Sequence, residues 1–226
     1  MSKGFFITGT DTDIGKTFTA LALMQALQDK GYQTCGFKPV SAGCKVTHEG
    51  LINDDAARLQ QASSSLLPYS VINPYAFEAP IAPHIAAAES NIAIEIAHIQ
   101  SCFNQIAGLS DFVIVEGAGG WLVPINKHQT MADVALSLGL PVILVVGIKL
   151  GCLNHTLLSV QSILLTQLPL AGWVANHIIP ECDSTRHNVQ YLQQVINAPL
   201  LANFAYQTNQ VTNDHISKID LQLLNK

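Results

Sequence analysis

Short apolar runs rich in β-branched and aromatic residues alternate along the chain with longer stretches in which apolar positions return at helical spacing. That alternation predicts an α/β fold with a doubly wound, mostly parallel sheet. The runs expected as strands cover residues 4–8, 34–39, 112–116, 142–147, 172–176 and 200–204. Each is continuously apolar rather than alternating, the pattern of strands covered on both faces. Helical spacing fits residues 16–30, 54–61, 92–107, 131–138, 154–165 and 185–195. Residues 63–83 carry Pro68, Pro74, Pro80 and Pro83 and are expected to be irregular. With no internal repeat, low-complexity tract or charged linker, residues 1–226 are expected to form a single domain. The polar stretch after Tyr206 has no role assigned from its pattern.

In such a sheet, ligands bind at the carboxyl ends of the strands. The polar residues that interrupt the pattern, Thr8 to Lys16, Lys38-Pro39, Glu116-Gly117, Lys149 to Asn154 and Asn176, all follow expected strands. One edge of the sheet should therefore carry the chemistry.

Composition narrows the classes. The chain has 226 residues, 49% of them hydrophobic and only 12% charged, which suits a large interior and an oligomer interface. The net charge of −5 and the lack of a Lys/Arg cluster argue against a nucleic-acid binder. No apolar run approaches the roughly 20 residues that span a bilayer, and the N-terminus lacks the apolar core of a signal peptide, so a cytoplasmic protein is expected. The five cysteines form no C-x-x-C pair and read as reduced thiols. Cys182, His177 and His187 match no common zinc spacing.

The segment Gly9-Thr10-Asp11-Thr12-Asp13-Ile14-Gly15-Lys16-Thr17 lies between an expected strand and an expected helix, the context a phosphate-binding loop needs. Its amides can surround phosphate oxygens at the positive end of the helix. Lys16 would reach the terminal phosphates, and the Thr17 hydroxyl would serve Mg²⁺. Five residues separate the glycines instead of the usual four, and two are acidic. Carboxylates so close to a polyphosphate make sense if they face a metal ion or an amine, which suggests a cationic second substrate. Glu116 ends a buried strand where other P-loop proteins place the acid that orients Mg²⁺. Gly117, Gly119 and Gly120 would let backbone approach a ligand. From spacing alone, Asp54 and Asp55 read as caps of the helix they open, and Asn154 as the cap of another. Lys38 and Lys149, taken alone, are equally compatible with solvated surface positions.

Together GTDTDIGKT, Phe37-Lys38-Pro39-Val40, Asn73-Pro74-Tyr75, Ala82-Pro83-His84, VEGAGG, Lys149 to His155 and Gly172 to Asn176, in this order, resemble the dethiobiotin synthetase family of the biotin pathway. The resemblance runs to about Phe204. It implies a Mg-ATP-dependent ligase that joins CO₂ to 7,8-diaminononanoate and closes the cyclic urea, releasing ADP and phosphate. By the same resemblance, Lys16 and Lys38 would neutralise phosphate and carbamate charge, with Thr12 completing the catalytic group. Thr17, Asp55 and Glu116 would hold Mg²⁺, which moves Asp55 from cap to ligand. The nucleotide would lie along Asp13, Ile14, Gly15, Lys16, Thr17, Phe18, Asp55, Glu116, Gly117, Ala118, Gly119, Asn176 and His177, with Asn176 at the adenine. The diamine would meet Thr12, Lys38, Ser41 and Ala42, while Gly151, Cys152 and Asn154 would receive its carboxylate tail across the interface of a homodimer.

Three positions depart from the family pattern. Asp13 replaces a familiar glutamate and is one methylene shorter. Ala42 stands where a small hydroxyl residue is common. Leu201 to Ala205 lacks the glycine and proline expected beside adenine. Two rival readings remain: a corrinoid amidotransferase, which needs a further glutaminase domain, and a dimerising partition-type ATPase switch acting through protein partners. The switch places an additional lysine early in the loop, and Thr10 to Ile14 contains none.

Overall fold

The computed structural model describes residues 3–206 and 219–222. In chain order it contains β1 (Lys3–Gly9), α1 (Lys16–Gln28), β2 (Thr34–Phe37), β3 (Val40–Ser41), β4 (Lys45–Thr47), β5 (Gly50–Ile52), α2 (Asp54–Ala62), α3 (Tyr69–Ile72), β6 (Tyr75–Ala76), α4 (Pro83–Glu89), α5 (Ile96–Ala107), β7 (Phe112–Glu116), α6 (Met131–Leu138), β8 (Val142–Ile148), α7 (Cys152–Leu165), β9 (Leu170–His177), α8 (Asp183–Val195) and β10 (Leu200–Phe204). Six strands form one sheet in the order β10-β9-β8-β1-β7-β2. Every neighbouring pair in it is parallel.

The doubly wound architecture follows from the continuously apolar strands. On β1, Phe6 points into one core, with α5, α6, α7 and α8 residues such as Phe103, Val134, Ile163 and Leu192, while Phe5 and Ile7 enter the other. That second core holds Ala20, Leu23, Met24 and Leu27 of α1 and Leu59 of α2. Trp173 and Phe204 are fully buried at the β9–β10 end. Each large apolar side chain so buried contributes roughly 1.5–3 kcal/mol. Among the described residues no helix is long and apolar enough to cross a membrane.

Several boundaries differ from the sequence expectation. The strand expected over residues 34–39 stops at Phe37: the Lys38 amide bonds Ile72 O at 2.9 Å instead of β7, and Pro39 has no N–H to offer. The chain then leaves the main sheet, and β3 pairs with β6 in a two-strand ribbon. The helix expected over 92–107 begins only at Ile96. Before it, Asn91 adopts a left-handed conformation, Ile94 is buried and the Glu95 amide bonds Tyr75 Oη. The hairpin β4–β5 and helix α4, which has Pro83 in its first turn, were not anticipated. Of the stretch after Tyr206, only residues 219–222 fall within the described residues.

Candidate active site

β1 is the topological switch point, with β8 on one side and β7 on the other, so the loop that follows it opens into the crevice at the carboxyl edge. Gly15 caps α1 in the left-handed region, at φ 91°. A Cβ there would collide with the Asn176 side chain, whose Nδ2 donates to Ile14 O at 2.8 Å. Glycine thus permits both the turn and the close approach of β9. Asp13, also left-handed at φ 55°, is exposed, as Asp tolerates. Lys16 Nζ donates to Asp11 O within the same loop at 2.7 Å, which leaves two of its three donors for an anion. Burial pushes the Lys16 ammonium below the usual lysine range, against the pull of Glu116.

At the end of the loop four side chains converge: Thr17 of α1, Lys38 just past β2, Asp55 of α2 and Glu116 of β7. Glu116 Oε1, at the end of β7, accepts from Thr17 Oγ1 at 2.8 Å and from Lys38 Nζ at 2.7 Å. Lys38 Nζ also reaches Asp55 Oδ2 at 3.2 Å. Burial alone would push the Lys38 ammonium down, but Glu116 and Asp55 outweigh it and hold its pKa above the ordinary value. Asp55 is the mirror case: burial raises its carboxyl, and Lys38 draws it below the usual range. Asp55 is therefore not the helix cap suggested by spacing. That task falls to Asn53, whose Oδ1 accepts from the amides of Asp55 and Ala56, while Asp54 pairs with Lys45. A carboxamide one residue earlier does the capping, so both acids are released for other partners.

The second oxygen of Glu116 is buried without a hydrogen-bond partner. Leaving such an acceptor unmatched costs about 1–3 kcal/mol. A hard cation with its waters would satisfy it, and Thr17, Asp55 and Glu116 supply the oxygen donors that Mg²⁺ prefers. These residues fit the ion.

The cavity holds about 810 Å³. Its walls include Thr12 to Phe18, Lys38, Ser41, Ala42, Asp55, Glu116, Ala118 and Gly119, so most of the sequence-derived candidates share one space. Arg58, Asn53, Val123 and the run Pro80 to Pro83 also line it. Spacing assigns none of these to the site, although Ala82 and Pro83 belong to a segment that carries the family resemblance. Gly117 is buried beside Phe6 rather than exposed to the cavity. Asn176 stands behind the loop, and His177 Nε2 bonds Asn203 Oδ1 at 3.1 Å. Gly151, Cys152 and Asn154 are not among the residues lining this chain's cavity. They open α7, which starts at Cys152 with Gly151 as its left-handed cap, so Asn154 lies inside the helix and is not the cap its type suggested. Lys149 pairs with Asp11 Oδ2 at 2.8 Å, and this partner holds the Asp11 carboxyl below its usual range.

Comparison with known proteins separates the fold from the family. A family model described as AAA domain matches residues 3–213. The ATP-dependent dethiobiotin synthetase BioD of Aeromonas salmonicida (strain A449) is 44% identical over 99% of this chain and 100% of its own length. The chain belongs to the dethiobiotin synthetase family. BioD 1 of Escherichia coli (strain K12) is likewise 44% identical, over 99% of this chain and 100% of its own. The fold is shared more widely. A ParA family ATPase from Chlorobium tepidum TLS has a TM-score of 0.55 at 14% identity, covering 100% of this chain and 92% of its own. MinD from Pyrococcus horikoshii OT3, solved with Mg-ADP, has a TM-score of 0.55 at 15% identity, covering 92% of this chain and 82% of its own. Such low identity shows the fold alone. The dethiobiotin synthetase relatives therefore carry the functional argument, with the geometry of the crevice beside them.

Proposed function

We propose that this protein, as one P-loop ligase domain, closes the ureido ring of dethiobiotin from 7,8-diaminononanoate, CO₂ and ATP. One amine adds to CO₂ and loses a proton, giving a carbamate. A carbamate oxygen then takes the γ-phosphoryl group of ATP and ADP leaves. The second amine attacks the resulting carbamic-phosphoric anhydride, the C–N bond closes the ring, and phosphate departs. The observation that carries this reading is Lys38, held by Glu116 and Asp55 in the cavity that the phosphate loop also lines, on the same Glu116 oxygen that accepts from Thr17. Two of its three donors are engaged there, and the third is available for a carbamate oxygen.

In the proposed mechanism Lys16 and the loop amides hold the polyphosphate, and Lys38 neutralises the carbamate as the phosphoryl group moves. Catalysis then consists mainly of positioning and charge neutralisation. Thr12, exposed on the loop, contacts the diamine and carbamate region, and Ser41 and Ala42 line its far side. Thr17, Asp55 and Glu116 would hold Mg²⁺, which when bound would neutralise phosphate charge. Asn176 and His177 lie toward the adenine. Gly151, Cys152 and Asn154, at the start of α7 and not among the residues lining their own chain's cavity, we assign on the family resemblance to the carboxylate tail of a diamine bound by a partner copy. The working form is then a homodimer with sites at its interface, in the cytoplasm.

The test is a product assay with labelled bicarbonate and diaminononanoate, run with ATP and with CTP. Label is expected in a neutral ring product, with nucleotide turnover requiring both co-substrates. ATP hydrolysis indifferent to the diamine and responsive to a protein partner would sink the ligase reading in favour of the switch.

A further inference from the structure

Behind Lys38 lies a buried polar group that the mechanism above does not use. Asn73 follows α3 and is 3% exposed. Its side chain makes three hydrogen bonds. Nδ2 donates to the backbone carbonyl of Lys38 at 2.6 Å, and Oδ1 accepts from Ser41 Oγ at 2.7 Å and from Tyr69 Oη at 3.0 Å. Tyr69 Oη in turn accepts the amide of Asn53 at 2.8 Å, the residue that caps the helix bearing Asp55. One unbroken chain of bonds thus ties the backbone of Lys38, the hydroxyl of Ser41 and the start of the Asp55 helix together.

These bonds have fixed directions. The donation to the Lys38 carbonyl sets the amide orientation of Asn73, so Oδ1 must face Ser41 and Tyr69. The single hydroxyl proton of Ser41 is therefore committed to Asn73. With its proton spent, the Ser41 oxygen keeps two lone pairs: one meets the buried Cys44 thiol at 3.2 Å, and the other is left for a donor from the cavity that Ser41 lines, attracting an N–H and repelling an anionic oxygen. Lys38, meanwhile, sits where β2 ends and Pro39 cannot bond to the sheet, so its carbonyl needs a partner from elsewhere.

We propose that Asn73 is a positioning residue for the ring-closing reaction. It fixes the backbone of Lys38 and turns the Ser41 hydroxyl into an acceptor for an N–H of the diamine or its carbamate, while Tyr69 extends the same constraint to Asp55. This rests on the ligase reading above. A shift of about 1 Å in a reacting group costs on the order of 10²-fold in rate.

Asn73→Ala, Tyr69→Phe, Ser41→Ala and the double variant Asn73→Ala/Ser41→Ala are assayed for dethiobiotin formation beside the wild type, with folding followed by thermal melting. Asn73→Ala is expected to lose about 10²-fold in kcat/KM for the diamine while KM for ATP stays within twofold, a split that general loosening of the fold does not produce. Tyr69→Phe, which removes only a half-buried hydroxyl, is expected to lose about threefold to tenfold in the same parameter. The double variant should lose less than the product of the single losses, since the two residues act on one bond. If the wild type makes product and Tyr69→Phe retains its diamine kcat/KM, or if the Asn73 and Ser41 losses multiply independently, the positioning role is overturned and the ligase reading stands. A wild type that makes no product overturns both.

Discussion

The two walls of the crevice are built in opposite ways. The phosphate wall is one contiguous segment, Gly9 to Thr17, whose shape comes from local backbone geometry: left-handed Asp13 and Gly15, then the first turn of α1. The other wall is assembled from Lys38, Ser41, Asp55 and Glu116, which lie far apart in sequence: Lys38 bonds Glu116 and Asp55, and Ser41 is held by Asn73. The first offers amides at the positive end of a helix, which any such turn would supply to an anion. The second places an ammonium between two carboxylates, and its chemistry depends on tertiary packing. On the proposed assignment, nucleotide binding rests mainly on one contiguous segment, whereas recognition of the second substrate rests on residues that only the fold brings together.

Variants can separate the walls. Lys16→Ala is expected to lose about 10³-fold in turnover and to raise KM for ATP, and Lys38→Ala about 10²-fold with KM for ATP little changed. Steady-state kinetics in both substrates checks this, and an active Lys38→Ala enzyme would remove the carbamate role. Glu116→Gln should weaken both walls at once, because it holds Thr17 and Lys38 on the same oxygen. The Mg²⁺ requirement should rise, and stability should fall by about 3 kcal/mol as the Lys38 ammonium loses a buried counter-charge. A magnesium titration and a denaturant midpoint read the two effects.

Gly15→Ala tests the local wall alone. At φ 91°, with Asn176 in the way, it is expected to destabilise by about 2 kcal/mol and to weaken ATP binding, read by calorimetry. Asn53→Ala tests the assembled wall through its scaffold, with about 1 kcal/mol lost with the cap. The smallest effect concerns acid. The Asp55 carboxyl is held below its ordinary range, so its contribution is present above the unfolded value of about 3.9 and is lost as pH falls through the lower folded value. Asp55→Asn should therefore show a shallower loss of stability than the wild type as pH drops below about 4, measured by urea unfolding. An unchanged slope would mean that Lys38 does not hold Asp55 in solution.

Legibility in the sequence follows the same division. The six main strands and the helix Met131–Leu138 stand out because continuous apolar runs and helical periodicity are local signals. The phosphate loop stands out because its glycines, Lys16 and Thr17 act at fixed spacing. Asp55 was ambiguous: an acid opening a helix looks the same whether it caps amides or faces Lys38, and only the Asn53 side chain seated on those amides decides it. Asn154 misled for a related reason, since a left-handed Gly151 had already started the helix. The hairpin β4–β5 and the ribbon β3–β6 were missed because their strands are too short to show a period.

What the sequence determined by itself is the layered α/β architecture and the glycine-bounded strand–loop–helix segment from Gly9 to Thr17, because their signals lie in residues near each other in the chain. What only the tertiary structure decided is the partnership of Lys38 with Glu116 and Asp55 and the buried chain through Asn73 and Tyr69 behind it. A lysine remote from its counter-charges in sequence carries no local mark of them. Its pKa is raised because Glu116 and Asp55, which the fold brings within hydrogen-bond reach, outweigh the effect of its burial.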